Sequence, residues 1–243
     1  MCEMCGQNSH HGFAPTRRGL LLGGSATGLV WASGARAKET KAPPKPENAI
    51  SSDAALKRLK DGNGRYINGV SRRHDFKHER EALAGGQNPY AAILSCADSR
   101  IAPEYAFDSG RGDLFVCRLA GNFATDETVA SLEYAVAVLN VPLILVLGHD
   151  ACGAIDATIK SMKDGNQLPG HLPTLVTGLT PAVKAVMDHG GSLLDNAIRQ
   201  NVIDTVSKLK SATPILSAAV ESNKLKVVGG IYRLKDGHVD MVG

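Results

Sequence analysis

The chain is short of cysteine, of net charge and of long apolar runs, and each shortage removes a class of protein. Five cysteines in 243 residues are too few for a disulfide scaffold and odd in number, so a cysteine pattern reads first as thiol chemistry or metal binding. The 27 basic and 24 acidic side chains leave a net charge of only +3. With no basic stripe, that balance argues against a nucleic-acid partner and favours small or neutral ones. A hydrophobic content of 43% with 21% charged residues excludes a disordered chain, a collagen and a multi-span membrane protein. The length exceeds a typical domain of about 100 to 200 residues but suits one large α/β domain.

One uncharged run stands out. Gly19 to Ala35 carries 17 residues without a charge and follows Arg17 and Arg18. A membrane helix needs about 20 strongly apolar residues, and five glycines dilute this stretch. The segment resembles a twin-arginine export signal, and Ala35 and Ala37 are the small residues that a signal peptidase accepts, so the mature chain is expected to begin at Lys38. Periplasmic or secreted localisation follows, with export in the folded state and no membrane span after signal removal. Cys2-x-x-Cys5 with His10 and His11 has the ligand types of a small zinc knuckle. These residues precede the paired arginines, however, and are too few to fold around a metal. Residues 38–47, with three prolines, read as an exposed linker. The expected organisation is therefore signal 1–37, linker 38–47 and one domain over 48–243.

Within that domain Ser51, Ser52 and Asp53 offer a cap for an amphipathic helix carrying Leu56, Leu59, Ile67 and Val70, loosened at Gly62 and Gly64. Four apolar runs follow at wide intervals, over 90–95, 114–118, 142–148 and 225–232, and read as strands apolar on both faces. Helical patterns separate them. The clearest starts at Thr125, with Asp126 and Glu127 in its first turn and Val129, Leu132, Val136 and Leu139 on one face. Others are expected over 151–163, 172–189, 193–211 and 214–222. The fold class is α/β: a mostly parallel central sheet of about four strands with helices on both faces. The turn at Asp236-Gly237 allows an antiparallel edge strand from His238 to Val242.

Ligands of such sheets sit beyond the carboxyl ends of the strands. There the sequence places Cys96-Ala97-Asp98-Ser99-Arg100 after the first run and Gly148-His149-Asp150-Ala151-Cys152-Gly153 after the third. Two thiols and an imidazole suit Zn2+, leaving its fourth tetrahedral corner for water or Asp98. Either cluster alone would be adequately read as buried thiols and a core histidine; both at one sheet edge are not.

Cys96-x-Asp98-x-Arg100 followed by Gly148-His149-x-x-Cys152-Gly153 resembles the signature of the β-class carbonic anhydrases. LAGGQNPYAAILSCADSR and GDLFVCRLAGN read like the same family, and the resemblance runs from about Asp53 to the C-terminus. It implies that Cys96, His149 and Cys152 bind zinc and that Asp98 and Arg100 form a catalytic dyad. It also implies zinc-bound hydroxide attacking carbon dioxide to give bicarbonate, and a homodimer or higher homo-oligomer. In a second state of the family Asp98 leaves Arg100 and becomes an exchangeable zinc ligand. Two thiolates should leave bound water less acidic than three histidines would.

The rival readings are hydrolysis of carbonyl sulfide or carbon disulfide on the same fold, and a zinc- or bicarbonate-binding relative without catalysis. Gly148 and Gly153 are expected to let backbone approach the metal. Ser109 stands where many members carry glutamine, as a substrate contact or a plain loop residue. Ile93 replaces the tryptophan of a bicarbonate-regulated subgroup; the chain's single tryptophan, Trp31, lies in the signal. Cys117 reads as a buried inert thiol, and His74, His78, His171 and His189 as surface histidines.

Overall fold

Five short strands and eight helices order the chain between residues 49 and 242, the residues that the computed structural model describes. The signal, the linker and the Cys2, Cys5, His10, His11 group lie outside them. The strands are β1 (Ala91–Ser95), β2 (Leu114–Arg118), β3 (Leu143–His149), β4 (Lys226–Tyr232) and β5 (Val239–Val242). They form one sheet in the order β2-β1-β3-β4-β5, parallel except for the antiparallel β4–β5 pair. The four expected strands and the C-terminal edge strand are all present.

Every residue of β1 and β3 is buried, because helices cover both faces. Alternate side chains serve the two sides. Ala92, Leu94, Ile144 and Val146 enter the larger core, under α4 (Asp126–Ala137), α5 (Gly153–Asp164), α6 (Leu172–Ala185), α7 (Leu193–Lys210) and α8 (Ile215–Glu221). Ala91, Ile93, Leu143, Leu145 and Leu147 enter the smaller one, under α1 (Ser52–Ile67) and α3 (Pro103–Ala106). Thr125 caps α4 with a reciprocal capping box through Thr128, which fixes that helix start as its acidic first turn suggests.

The strand order positions the site. From β1 the chain crosses to β2 on one side, and β3 lies on the other, so the loops leaving β1 and β3 part between neighbouring strands. Such a switch point opens a crevice at the carboxyl ends of a parallel sheet. Cys96 directly follows β1, and His149 ends β3.

Three features depart from the sequence reading. Gly62 is not a loosening of α1: a Cβ there would sit 1.9 Å from the Phe107 carbonyl oxygen, so the glycine permits close contact between α1 and the turn after α3. Next to it, the buried Asn63 donates to the Ala106 and Gly237 carbonyls and accepts from the Val239 N–H, tying α1 to the terminal hairpin. Two helices were not anticipated. α2 (Phe76–Leu83) buries none of its residues and so leaves no apolar periodicity, and α3 is a single turn started by Pro103. The helix expected over 172–189 stops at Ala185.

Candidate metal centre

Two loops and a helix start bring three ligand atoms together. The sulfurs of Cys96 and Cys152 and a ring nitrogen of His149 all lie within 4.8 Å of one another, and all three residues are buried. Neither cysteine is in a disulfide. The His149 ring is oriented by its other nitrogen: Nδ1–H donates to the Asp150 carbonyl at 2.7 Å, which leaves Nε2 with the lone pair. That Nε2 is buried and has no hydrogen-bond partner. A buried imidazole nitrogen left unpaired beside two sulfurs is costly unless a cation fills the space, so the donor set fits a tetrahedral divalent metal with soft and borderline ligands.

The electrostatics agree with that fit. The Cys96 thiol titrates well below its usual range, chiefly because of the neighbouring Cys152 thiol, with burial opposing and His149 and the Gly121 N–H assisting. Cys152 is pushed up, first by that same Cys96 neighbour and then by burial. Burial alone would lower His149, yet the adjacent Cys96 sulfur raises it above an ordinary imidazole. The pocket therefore concentrates thiolate charge on Cys96 and favours positive charge at its centre.

Local structure explains each placement. Cys152 is the N-cap of α5, where the first-turn N–H groups of Ala154 and Ile155 lower its pKa against the larger upward effects. Ala151, at φ 49°, takes a left-handed conformation uncommon for alanine and turns the chain between His149 and Cys152. Asp150 secures that turn: its N–H donates to the Tyr232 carbonyl at 3.1 Å, and its Oδ1 accepts from the Leu234 N–H at 2.9 Å. Arg118, the last residue of β2, donates to the carbonyls of Cys96, Asp98 and Ile101 at 3.0, 2.7 and 2.9 Å. One guanidinium thus holds the loop that carries Cys96. The sequence reading gave no role to Asp150 or Arg118, since their work falls on backbone atoms.

Asp98 stands beside the ligands, engaged with Arg100. The guanidinium donates from Nε to Oδ1 at 2.9 Å and from Nη2 to Oδ2 at 2.6 Å, a bidentate fork. Oδ1 also accepts the Arg100 backbone N–H at 2.9 Å, closing an Asx turn that sets the carboxylate's direction. Arg100 holds the carboxyl far below the usual carboxylate range. Asp98 Oδ2 lies 3.8 Å from His149 Nε2, at the rim of the ligand cluster.

Other expected residues serve elsewhere. A Cβ on Gly148 would meet Val202 at 2.7 Å, whereas one on Gly153 would meet nothing within 4 Å. Gly148 thus allows α7 to pack on β3. Ser109 Oγ donates to the Phe107 carbonyl at 3.1 Å and lies 3.0 Å from the Tyr90 hydroxyl, so its bonds are internal. Ile93 is fully buried in β1. Cys117 is half-buried rather than buried, and burial raises its thiol. His74 pairs with Glu79 and His78 with Asp75, while His171 precedes α6 without a side-chain capping bond.

Known proteins share this arrangement of sequence and fold. Residues 91–239 match the carbonic anhydrase family. Carbonic anhydrase 2 of Mycobacterium tuberculosis is 41% identical over 185 residues, covering 76% of this chain and 89% of its own. The carbonic anhydrase of Mycolicibacterium smegmatis is 39% identical over 77% of this chain and 92% of its own. Among solved structures, the β-carbonic anhydrase CcaA superposes with a TM-score of 0.61 at 28% identity, covering 77% of this chain and 98% of that one. A tetrameric β-carbonic anhydrase of Sordaria macrospora gives 0.62 at 26% identity, over 79% and 96%.

Proposed function

The chain belongs to the β-carbonic anhydrase family, and from that premise we propose how its residues carry out the zinc-dependent interconversion of carbon dioxide and bicarbonate. The observation that carries the reading is the buried, unpaired His149 Nε2 between two sulfurs, with a carboxylate–guanidinium pair 3.8 Å away. Cys96, His149 and Cys152 hold the zinc. When bound, zinc supplies Lewis acidity that brings the ionisation of water close to neutral pH.

The chain's own residues do the rest. Asp98 Oδ2 accepts a hydrogen bond from the attacking water-derived oxygen and so turns that oxygen's lone pair toward the carbon of the substrate. Because Arg100 keeps the carboxyl ionised far below neutral pH, Asp98 acts as an acceptor throughout the working range. The Asx turn and the Arg118 contacts fix its position before substrate arrives, so little reorganisation is needed. In the structure Asp98 is on Arg100; its second role, as an exchangeable zinc ligand, is a separate part of this proposal.

Stopped-flow hydration of carbon dioxide by zinc-loaded chain, beside Asp98→Ala, tests the dyad. A fall of about 100-fold or more with zinc retained is expected; unchanged turnover would remove Asp98 from the mechanism. Carbonyl sulfide hydrolysis is the rival substrate assay, disfavoured by the carbonic anhydrases among the relatives.

The assembly is a homodimer or a higher homo-oligomer. Its support is β2, a sheet edge whose five residues are all incompletely buried, next to exposed Tyr134 on α4 and Val138 at its C-terminal cap. An open, partly apolar edge strand favours pairing with a second copy, and light scattering on the purified chain would test it. The N-terminal segment directs folded export through Arg17 and Arg18 to the periplasm or exterior. Its support is the sequence pattern alone, and Arg17→Lys with Arg18→Lys should hold the protein in the cytoplasm. Among the described residues no helix is long and apolar enough to cross a membrane.

A further inference from the structure

The Cys96 sulfur accepts a backbone hydrogen bond from the Gly121 N–H at 3.3 Å. Residues 119–122 form a tight turn closed by the Asn122 N–H on the Leu119 carbonyl at 2.8 Å. Gly121, at φ 84°, occupies the third position of that turn, where a left-handed residue is needed. A side chain is also sterically excluded, since a Cβ at Gly121 would meet Leu179 at 2.8 Å. The N–H of this residue is not used by the turn and points to the sulfur. Its carbonyl is held by a residue from far along the chain: Asn201, on α7 and 3% exposed, donates from Nδ2 to the Gly121 oxygen at 2.7 Å.

We propose that Asn201 is a positioning residue for the metal centre, fixing Gly121 so that its N–H stays on the Cys96 sulfur. This deepens the zinc reading and rests on it. A hydrogen bond to a metal-bound thiolate draws charge from sulfur and weakens its donation to the metal. With two thiolates in the donor set, that withdrawal restores part of the Lewis acidity that a third neutral nitrogen would otherwise give. The bond between Asn201 and Gly121 is buried and short, so the turn cannot relax toward water when the amide donor is lost. Without it, the turn stays tied at Leu119 to Ser95 and Ala97, but the Gly121 carbonyl loses its side-chain donor, the peptide tilts, and its N–H moves off the sulfur.

The test is full-length chain loaded with Co2+ in place of zinc, comparing wild type, Asn201→Leu, Asn201→Ser and Thr205→Val. Leucine matches the size of asparagine without a donor, serine is too short to reach Gly121, and Thr205 is a buried polar residue one turn along the same helix. The readouts are the energy of the thiolate-to-Co2+ charge-transfer band and the zinc dissociation constant by chelator competition. Both Asn201 variants are expected to move the band to longer wavelength, as the sulfur becomes more electron-rich, and to weaken zinc binding about 10-fold, because the loss of a pre-oriented Cys96 sulfur outweighs its stronger donation. Thr205→Val should leave both readouts at the wild-type values. If Asn201→Leu does not fold, Asn201→Ser decides alone. A band unmoved and zinc affinity within about twofold of wild type would overturn the role of Asn201. A wild-type protein with no thiolate-to-Co2+ band would instead overturn the metal centre itself, so the two failures are distinct.

Discussion

The middle of the sheet and its carboxyl edge are built by opposite rules. In the middle, β1 and β3 are buried throughout, apolar on both faces and regular in their hydrogen bonds. One strand length further on, the same chains leave regular structure. His149 has an unpaired buried nitrogen, Ala151 and Asn122 adopt left-handed backbone at φ 49° and 42°, and two thiols face each other. Each of those choices costs stability locally. The difference teaches that the layered core supplies the rigidity, and that at its carboxyl edge the unpaired His149 nitrogen and the left-handed Ala151 stand where a ligand would compensate them.

If that division holds, damage to the middle should reduce stability without touching the chemistry. Leu145 is almost fully buried between β1, β4 and the α1 face. Leu145→Ala is expected to lower the unfolding free energy by about 2–5 kcal/mol in denaturant titration, with turnover per folded molecule unchanged. A matching loss of turnover would break the comparison. Damage at the edge should show the reverse. Arg100→Lys keeps the charge but loses the fork, so kcat/KM should fall about 10- to 100-fold while the thermal midpoint and zinc content stay near wild type.

A third region sharpens the contrast, because Asp108 is a buried charge outside the site. It is paired with Arg65, and it also accepts the Arg72 N–H at 2.9 Å. Burial pushes its carboxyl up, but those two partners bring it below the ordinary value. A carboxyl depressed by folding stabilises fully above its unfolded value near 3.9 and loses that contribution as pH falls through the folded value. Asp108→Asn should therefore cost about 1–3 kcal/mol near neutral pH and converge with wild type in acid, as followed by chemical unfolding across pH. At the small end, Phe76 is 58% exposed at the start of α2, where its ring stacks on His74 and meets the Arg111 guanidinium. Phe76→Ser should lower stability by no more than about 1 kcal/mol, and a larger effect would mean that α2 belongs to the core.

What could be read from the sequence follows the same division. The strands of the middle were legible because continuous runs such as Ala91–Ser95 and Leu143–His149 have few other uses in a chain of this composition. Cys96, His149 and Cys152 were legible because their side-chain chemistry is rare and their spacing tight. Arg118, Asp150 and Asn201 were not, and Gly121 was placed near the pocket only by the family resemblance of its segment. They act on carbonyls and N–H groups, which every residue carries, and Asn201 does so across 80 positions of chain. At Gly148 a further demand for glycine was hidden for a related reason: a Cβ would meet Val202 on α7, a neighbour that only the packing of α7 on β3 supplies. α2 escaped notice because a helix with no buried face has no period to detect.

The claim under all of this is that two cysteines and one histidine from separate loops bind one zinc ion. X-ray absorption at the zinc edge on purified full-length chain tests it most directly. Two sulfurs at about 2.3 Å with one imidazole nitrogen at about 2.0 Å, lost together in Cys96→Ser, is the expected result. A shell of nitrogen and oxygen without sulfur, or a spectrum unchanged by Cys96→Ser, would contradict it.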